Sequence, residues 1–136
     1  MNIGNKPEII FSTTDPLGRT VQLKATTWYN HITGGHHKRI ELVGQENTVK
    51  EVIEDPAFIL PNNPEDVSDT RQKYVDLVTL PHLKRLTYLV VVVDYNTTDG
   101  SGDVVTVIPK KKIQESVEGG IIYVRAKIGK SGRDRV

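Results

Sequence analysis

Leu86-Thr87-Tyr88-Leu89-Val90-Val91-Val92-Val93-Asp94-Tyr95 is the stretch on which the fold turns. Leucine followed by four valines leaves no alternation of apolar and polar residues, so both faces of the segment are apolar. That is the pattern of a central strand covered on both sides. Its neighbours carry turn chemistry and further strand patterns. Asn96–Gly102 reads as a long hairpin loop, with Val104–Ile108 as the strand that returns from it. Pro109 and the lysines Lys110, Lys111 and Lys112 then end the sheet. Upstream, Gln72–Val78 and Phe58-Ile59-Leu60 read as strands around a polar turn region, Pro61–Thr70.

The first third of the chain is different in kind. Ile9-Ile10-Phe11 and the alternating Val21 and Leu23 flank Asp15-Pro16-Leu17-Gly18, giving a hairpin with proline and glycine in turn positions. Thr26 or Thr27 then caps a short helix carrying Trp28, His31 and Ile32. Gly34-Gly35 ends it, because glycine accepts the left-handed conformation of a helix terminus. A second helix is predicted from about Lys38 to Glu54, with Gly44 as its weak point and Asp55-Pro56 as its stop. The expected fold class is α+β: an N-terminal hairpin and one or two helices packed on one face of an antiparallel sheet of about four strands.

At 136 residues the chain is most simply one domain. The absence of cysteine excludes a disulfide framework, thiolate zinc sites and a cysteine nucleophile. No apolar run approaches the ~20 residues of a membrane span, and Met1–Glu8 carries no signal-peptide core. A soluble, cytoplasmic protein is expected. The net charge of +1 conceals an asymmetry: eight basic and three acidic residues from Lys110 onward, against ten basic and fourteen acidic before it. The reading is therefore a domain over residues 1–109 and a basic extension over 110–136, which supplies an extra strand or an arm. Such an extension is either a phosphate-backbone binder or a solvated tail.

Trp28-Tyr29-Asn30-His31-Ile32-Thr33-Gly34-Gly35-His36-His37-Lys38-Arg39 holds three of the four histidines and the only tryptophan. Histidine titrates near neutrality, so such a cluster suits proton transfer or metal binding. The spacing His31-x4-His36-His37 matches no standard zinc motif and includes no carboxylate, so no metal and no cofactor is assigned. Dinucleotide-binding, P-loop and nucleophile-elbow motifs are absent. Asp94, Asp99 and Asp103 lack the spacing of a calcium loop.

The opening hairpin, Trp28-x-x-His31-Ile32 with His36, the helix closing on Glu51-Val52-Ile53-x-x-Pro56-x-x-Ile59, Tyr74, the valine strand and Thr106 occur in an informative order. Over about residues 15–109 this order resembles the phage and mobile-element branch of the barnase–EndoU–colicin E5/D–RelE nuclease superfamily. Two positions depart from that pattern: His37 stands where it has a proline, and Thr106-Val107-Ile108 where it commonly has Thr-Ala-Tyr. The resemblance implies a barnase- or RelE-like fold and a metal-independent ribonuclease acting as a toxin or phage effector.

Such enzymes turn the RNA 2′-hydroxyl on the adjacent phosphate. They need a base, an acid and donors for the phosphorane oxygens. His31 and His36 are the candidate acid–base pair, with Thr106 beside them. Arg71, Tyr74 and Lys110 are candidate phosphate-side contacts from neighbouring strands. RNA is the expected partner, with an immunity protein or a homodimer also open. The competing reading is a catalytically inactive relative that serves as a binding or structural module.

Overall fold

The computed structural model describes residues 8–35, 38–81, 83–112 and 120–126. The chain forms strands β1 (Ile9–Thr14) and β2 (Thr20–Lys24), then helix α1 (Ala25–Thr27), which runs into a π-helical turn, Trp28–Ile32. A 3-10 turn (Ile40–Leu42) and helix α2 (Glu46–Glu54) follow. Strands β3 (Phe58–Pro61), β4 (Arg71–Thr79), β5 (Leu86–Tyr95), β6 (Gly102–Lys110) and β7 (Tyr123–Val124) complete the order. The α+β class expected from the sequence is what the chain adopts. No helix among the described residues is long and apolar enough to cross a membrane.

The sheet has seven strands in the order β1-β2-β6-β5-β4-β3-β7, not about four. Two features enlarge it. The N-terminal hairpin joins the main sheet, because β2 lies parallel to β6 through Val21↔Gly102 and Gln22↔Asp103. At the other edge Tyr123 and Val124 pair with Ile59 and Phe58. The sheet is consequently mixed, with this parallel contact among antiparallel ones. β6 itself runs on through Pro109 to Lys110, so the point where the basic extension was expected to begin lies inside a strand.

β5 is central, bonded to β4 on one side and β6 on the other. Its valine run is buried on both faces for the reason read from the sequence. Val91 and Val93 point into the larger core, with Val107 and Tyr74 from neighbouring strands and Trp28, Ile32, Val49 and Ile53 from the helical segments. Val90 and Val92 join Leu60 and Val75 in a smaller buried cluster on the opposite face. Each fully buried valine contributes roughly 1.5–3 kcal/mol of transfer free energy, so the run anchors both layers.

The predicted second helix is broken. Gly44 adopts φ 80° and separates the 3-10 turn from α2. This is the left-handed region open to glycine at little cost. Val49, Val52 and Ile53 of α2 face the core, and Thr13 Oγ1 of β1 donates to the Glu54 carboxylate. The expected threonine cap is also absent. α1 begins directly after Lys24, whose side chain makes no cap bond, and Thr27 is already helical.

A buried polar cluster locks the hairpin to the sheet. The Asp15 side chain is fully buried. It accepts from the Leu17 and Arg19 backbone N–H groups at 3.0 and 2.8 Å, from Arg19 Nε at 2.9 Å and from the Tyr74 hydroxyl at 2.6 Å. Tyr74 also bonds with the Tyr95 hydroxyl, and the Arg19 guanidinium stacks 4.4 Å from the Tyr95 ring centroid. Gly102 makes room for this arrangement, since a Cβ there would stand 2.5 Å from Val93 Cγ1 and 2.9 Å from Tyr95 Cε1.

Burial, followed by the bond to Asp15, pushes the Tyr74 phenol far above its ordinary value. Burial also raises Tyr95. An unfolded phenol ionises near pH ~10. The folded chain holds these protons beyond that point, so their contribution is complete below pH ~10 and is lost as pH rises above it. Urea unfolding from pH 9 to 11 is expected to show stability falling through this window, with a shallower fall in Tyr74→Phe. At neutral pH, Asp15→Ala is expected to cost about 2–3 kcal/mol, because it leaves buried donors unpaired.

Candidate functional site

The elements around His31 are placed by what happens to β2. After its short pairing with β6, the chain turns into α1 and the π-helical turn, whose residues pack beside β6. Trp28 and Ile32 are buried there and hold the turn against the core. The wider π spacing is closed by the Thr33 N–H donating to the Trp28 carbonyl at 2.8 Å. Single π turns inside helical segments are frequent at functional sites.

His31 is half-buried and lines a cleft of about 420 Å³ with Lys24, Thr27, Asp94, Asp103 and Val105. Asp94 and Asp103 stand directly opposite each other on β5 and β6. Each is compensated from its outer side. Asp94 accepts from the Thr70 hydroxyl and lies 3.8 Å from Arg71 Nε, while Asp103 accepts from Gln22 Nε2 at 2.7 Å and lies 3.8 Å from Lys24 Nζ. Like charges opposed across a pair of strands disfavour the pairing; the flanking cations and amide offset that here. Among the described residues no group of three or more histidine or acidic side chains is placed to hold a metal ion.

The glycines after the turn are sterically required. A Cβ on Gly34 would lie 2.4 Å from the Tyr29 carbonyl oxygen, and one on Gly35 would lie 2.0 Å from that of Asn30. Gly35 also has φ 58°. The chain returns with Lys38 in the left-handed region at φ 50°, and the Arg39 N–H donates to the Ile32 carbonyl at 3.1 Å. This bond ties the end of the π-helical turn to the chain that resumes at Lys38, on the far side of His36 and His37 in sequence. Both of those histidines lie outside the described residues, as does His82.

Arg39 reaches from that point to β6, where its Nη1 donates to Thr106 Oγ1 at 3.0 Å. Thr106 is available because the β5–β6 register shifts between Val92 and Val93. The bulge leaves Val105 without a partner, and Val105 packs with the cluster on the face away from the helices. Thr106 lies beside it, opposite Val92. Bulges re-aim side chains in this way. Burial lowers the Arg39 pKa, with the nearby Glu41 opposing the shift.

The remaining candidates divide between the two faces. Tyr74 belongs to the helix side, fully buried, with its hydroxyl held by Asp15. It is thus separated by the sheet from Thr106 and serves the hairpin lock. Lys73, its chain neighbour, shares a row with Val92 and Thr106. Arg71 is exposed beside Asp94, and Lys110 stands opposite Tyr88 near the end of β6. The structure brings His31 and Thr106 to neighbouring parts of β6 and adds Arg39, which the sequence reading did not single out. A weak signal existed. Positions three and four residues either side of Arg39 hold Gly35, His36, Leu42 and Val43, none of them an acid to pair with it.

No family model, no curated protein and no solved structure matches the chain.

Gly35→Ala is expected to cost about 2 kcal/mol through its left-handed backbone and the contact with Asn30. Thermal unfolding measures the loss. In heteronuclear NMR spectra, the changes should concentrate at His31, Ile32 and Arg39 rather than in the hairpin lock.

Proposed function

We propose that the chain binds RNA and cleaves it by metal-independent transesterification, as a relative of the barnase–EndoU–colicin–RelE nucleases encoded by a phage or mobile element. The observation that carries this reading is the link from the His31 turn to β6. The Arg39 N–H holds the end of that turn, and the same residue's guanidinium holds Thr106. Residues far apart in sequence are thereby joined around one strand, next to a cleft with a histidine on its wall.

In this proposal His31 exchanges a proton with either the attacking 2′-hydroxyl or the leaving 5′-oxygen, and His36 takes the other role. An imidazole in each role is worth typically ~10²–10⁴-fold in rate. Thr106 supplies a hydroxyl on the phosphate side, with Arg71 and Lys110 as more distant contacts for the strand. Tyr74 contributes through stability alone. The basic surplus after Lys110 adds affinity that declines with salt.

A second reading is favoured by the opposed carboxylates Asp94 and Asp103 in the His31 cleft, which, compensated by flanking cations and donors, give a polyanion no net pull. Under it the domain is an inactive, nuclease-like binding or structural module.

The test is cleavage of single-stranded RNA in EDTA, beside the same sequence as DNA. The expected outcome is cleavage of RNA alone, with 2′,3′-cyclic phosphate ends. Folded His31→Ala and His36→Ala variants should each lose at least ~10²-fold in rate. Intact RNA after prolonged incubation with folded wild-type chain, over a broad panel of sequences, would favour the inactive module.

A further inference from the structure

Among the described residues, three of the five arginines pair with carboxylates. Arg19 pairs with Asp15, Arg71 with Asp94, and Arg125 with Asp76 and Asp55. Arg85 is exposed and needs no partner. Arg39 is half-buried, and its side-chain bond is to a hydroxyl rather than a carboxylate. Glu41 is the acidic neighbour whose charge acts on it, and a guanidinium taken partly out of water with no carboxylate hydrogen-bonded to it is costly. A fold that places one there three ways over, with a left-handed Lys38, an N–H tied to Ile32 and a bulge at Val105, holds the charge in a fixed direction.

We infer that Arg39, oriented by Thr106, is the phosphate-binding group of this site, and that its ligand is a phosphodiester or phosphate oxygen pair. The guanidinium presents five N–H donors in a planar fork. One donor goes to Thr106, which fixes the plane and leaves a second edge for two oxygens of one phosphate. A carboxylate ligand would satisfy the same fork. Phosphate is favoured because Thr106 adds a hydroxyl proton beside it, suited to a tetrahedral anion with a third oxygen in reach. The inference rests on reading this face as the RNA-binding one, and it names the group that grips the backbone there.

Binding is measured with a single-stranded RNA carrying 2′-O-methyl groups throughout, which cannot undergo transesterification, and separately with inorganic phosphate and with acetate. The variants are Arg39→Ala, Arg39→Lys and Arg85→Ala, each checked for folding by its thermal transition. A loss of about tenfold or more in oligonucleotide affinity is expected for Arg39→Ala, corresponding to ~1.4 kcal/mol. Arg39→Lys should recover only part of it, because lysine keeps the charge without the fork. Arg85→Ala, which removes the same charge elsewhere, should bind as wild type.

In spectra of the arginine side chains, the Arg39 Nε–H resonance should shift on titration with the oligonucleotide. A matching shift with inorganic phosphate identifies the anion itself as sufficient; a shift with the oligonucleotide alone identifies the strand as the source. Equal affinity in wild type and Arg39→Ala overturns the inference, as does a stronger response to acetate than to phosphate. If the Arg39 effect holds while no RNA is ever cut, the phosphate site stands and the ribonuclease reading fails.

Discussion

Everything distinctive about this molecule depends on the brevity of the parallel contact between β2 and β6. The two strands pair through Val21 and Gln22, and then β2 gives way to helix at Ala25. Had the pairing continued, the whole length of β6 would have carried a strand on that side. Instead, the upper part of β6 is met by the π-helical turn and by Arg39. The Asp15 cluster holds the hairpin in the position that makes this possible. It ties the turn between β1 and β2 to β4 and β5 through Tyr74 and Tyr95. A lock on one side of the sheet therefore bears on the geometry beside the middle of β6.

The sheet also sorts residues by parity. Tyr74 and Lys73 are adjacent in sequence and face opposite layers, one buried under the helices and the other in the row of Thr106. A tyrosine and a threonine that read equally well as site residues thus acquire unrelated roles. The bulge at Val105 modifies the parity locally, because the extra residue allows Val105 and Thr106 to serve the same face in succession. Without it, Thr106 would fall out of register with Val92 and could not meet Arg39.

How much of this was legible in the sequence follows from which forces are local. The valine strand, the Asp15 turn, the Gly34-Gly35 terminus and the Asp55-Pro56 stop are local signals, and each corresponds to an observed feature. The break at Gly44 was visible as a weak point but not as a break, because whether a glycine bends a helix depends on what the flanking turns can bury. Sheet size was underestimated because pairing is a tertiary choice. Nothing in Thr20–Lys24 states that its partner will be a strand about eighty residues later, or that the pairing will be parallel. Of the candidate residues, His31 and Thr106 are proposed from residue type and order. Arg39 left only a weak signal, since its contact with Thr106 spans 67 residues.

Electrostatics at the two ends of the site differ for the same reason. Around Asp94 and Asp103, every charge has a nearby counter-charge or donor, so the field there is small and short-ranged. Pairs of this kind, substantially exposed to water, contribute little to stability, and they give an approaching polyanion no net pull. At Thr106 the balance is different: a half-buried guanidinium is hydrogen-bonded to a hydroxyl, with the charge of Glu41 acting on it. Partial burial reduces screening by solvent and salt, so a charge held there acts more strongly on its surroundings than one on an exposed lysine. The formal net charge of the chain, +1, is therefore a poor guide to what it attracts. The distribution of charge along β6, from the compensated carboxylate of Asp103 to the guanidinium at Thr106, says more than the total.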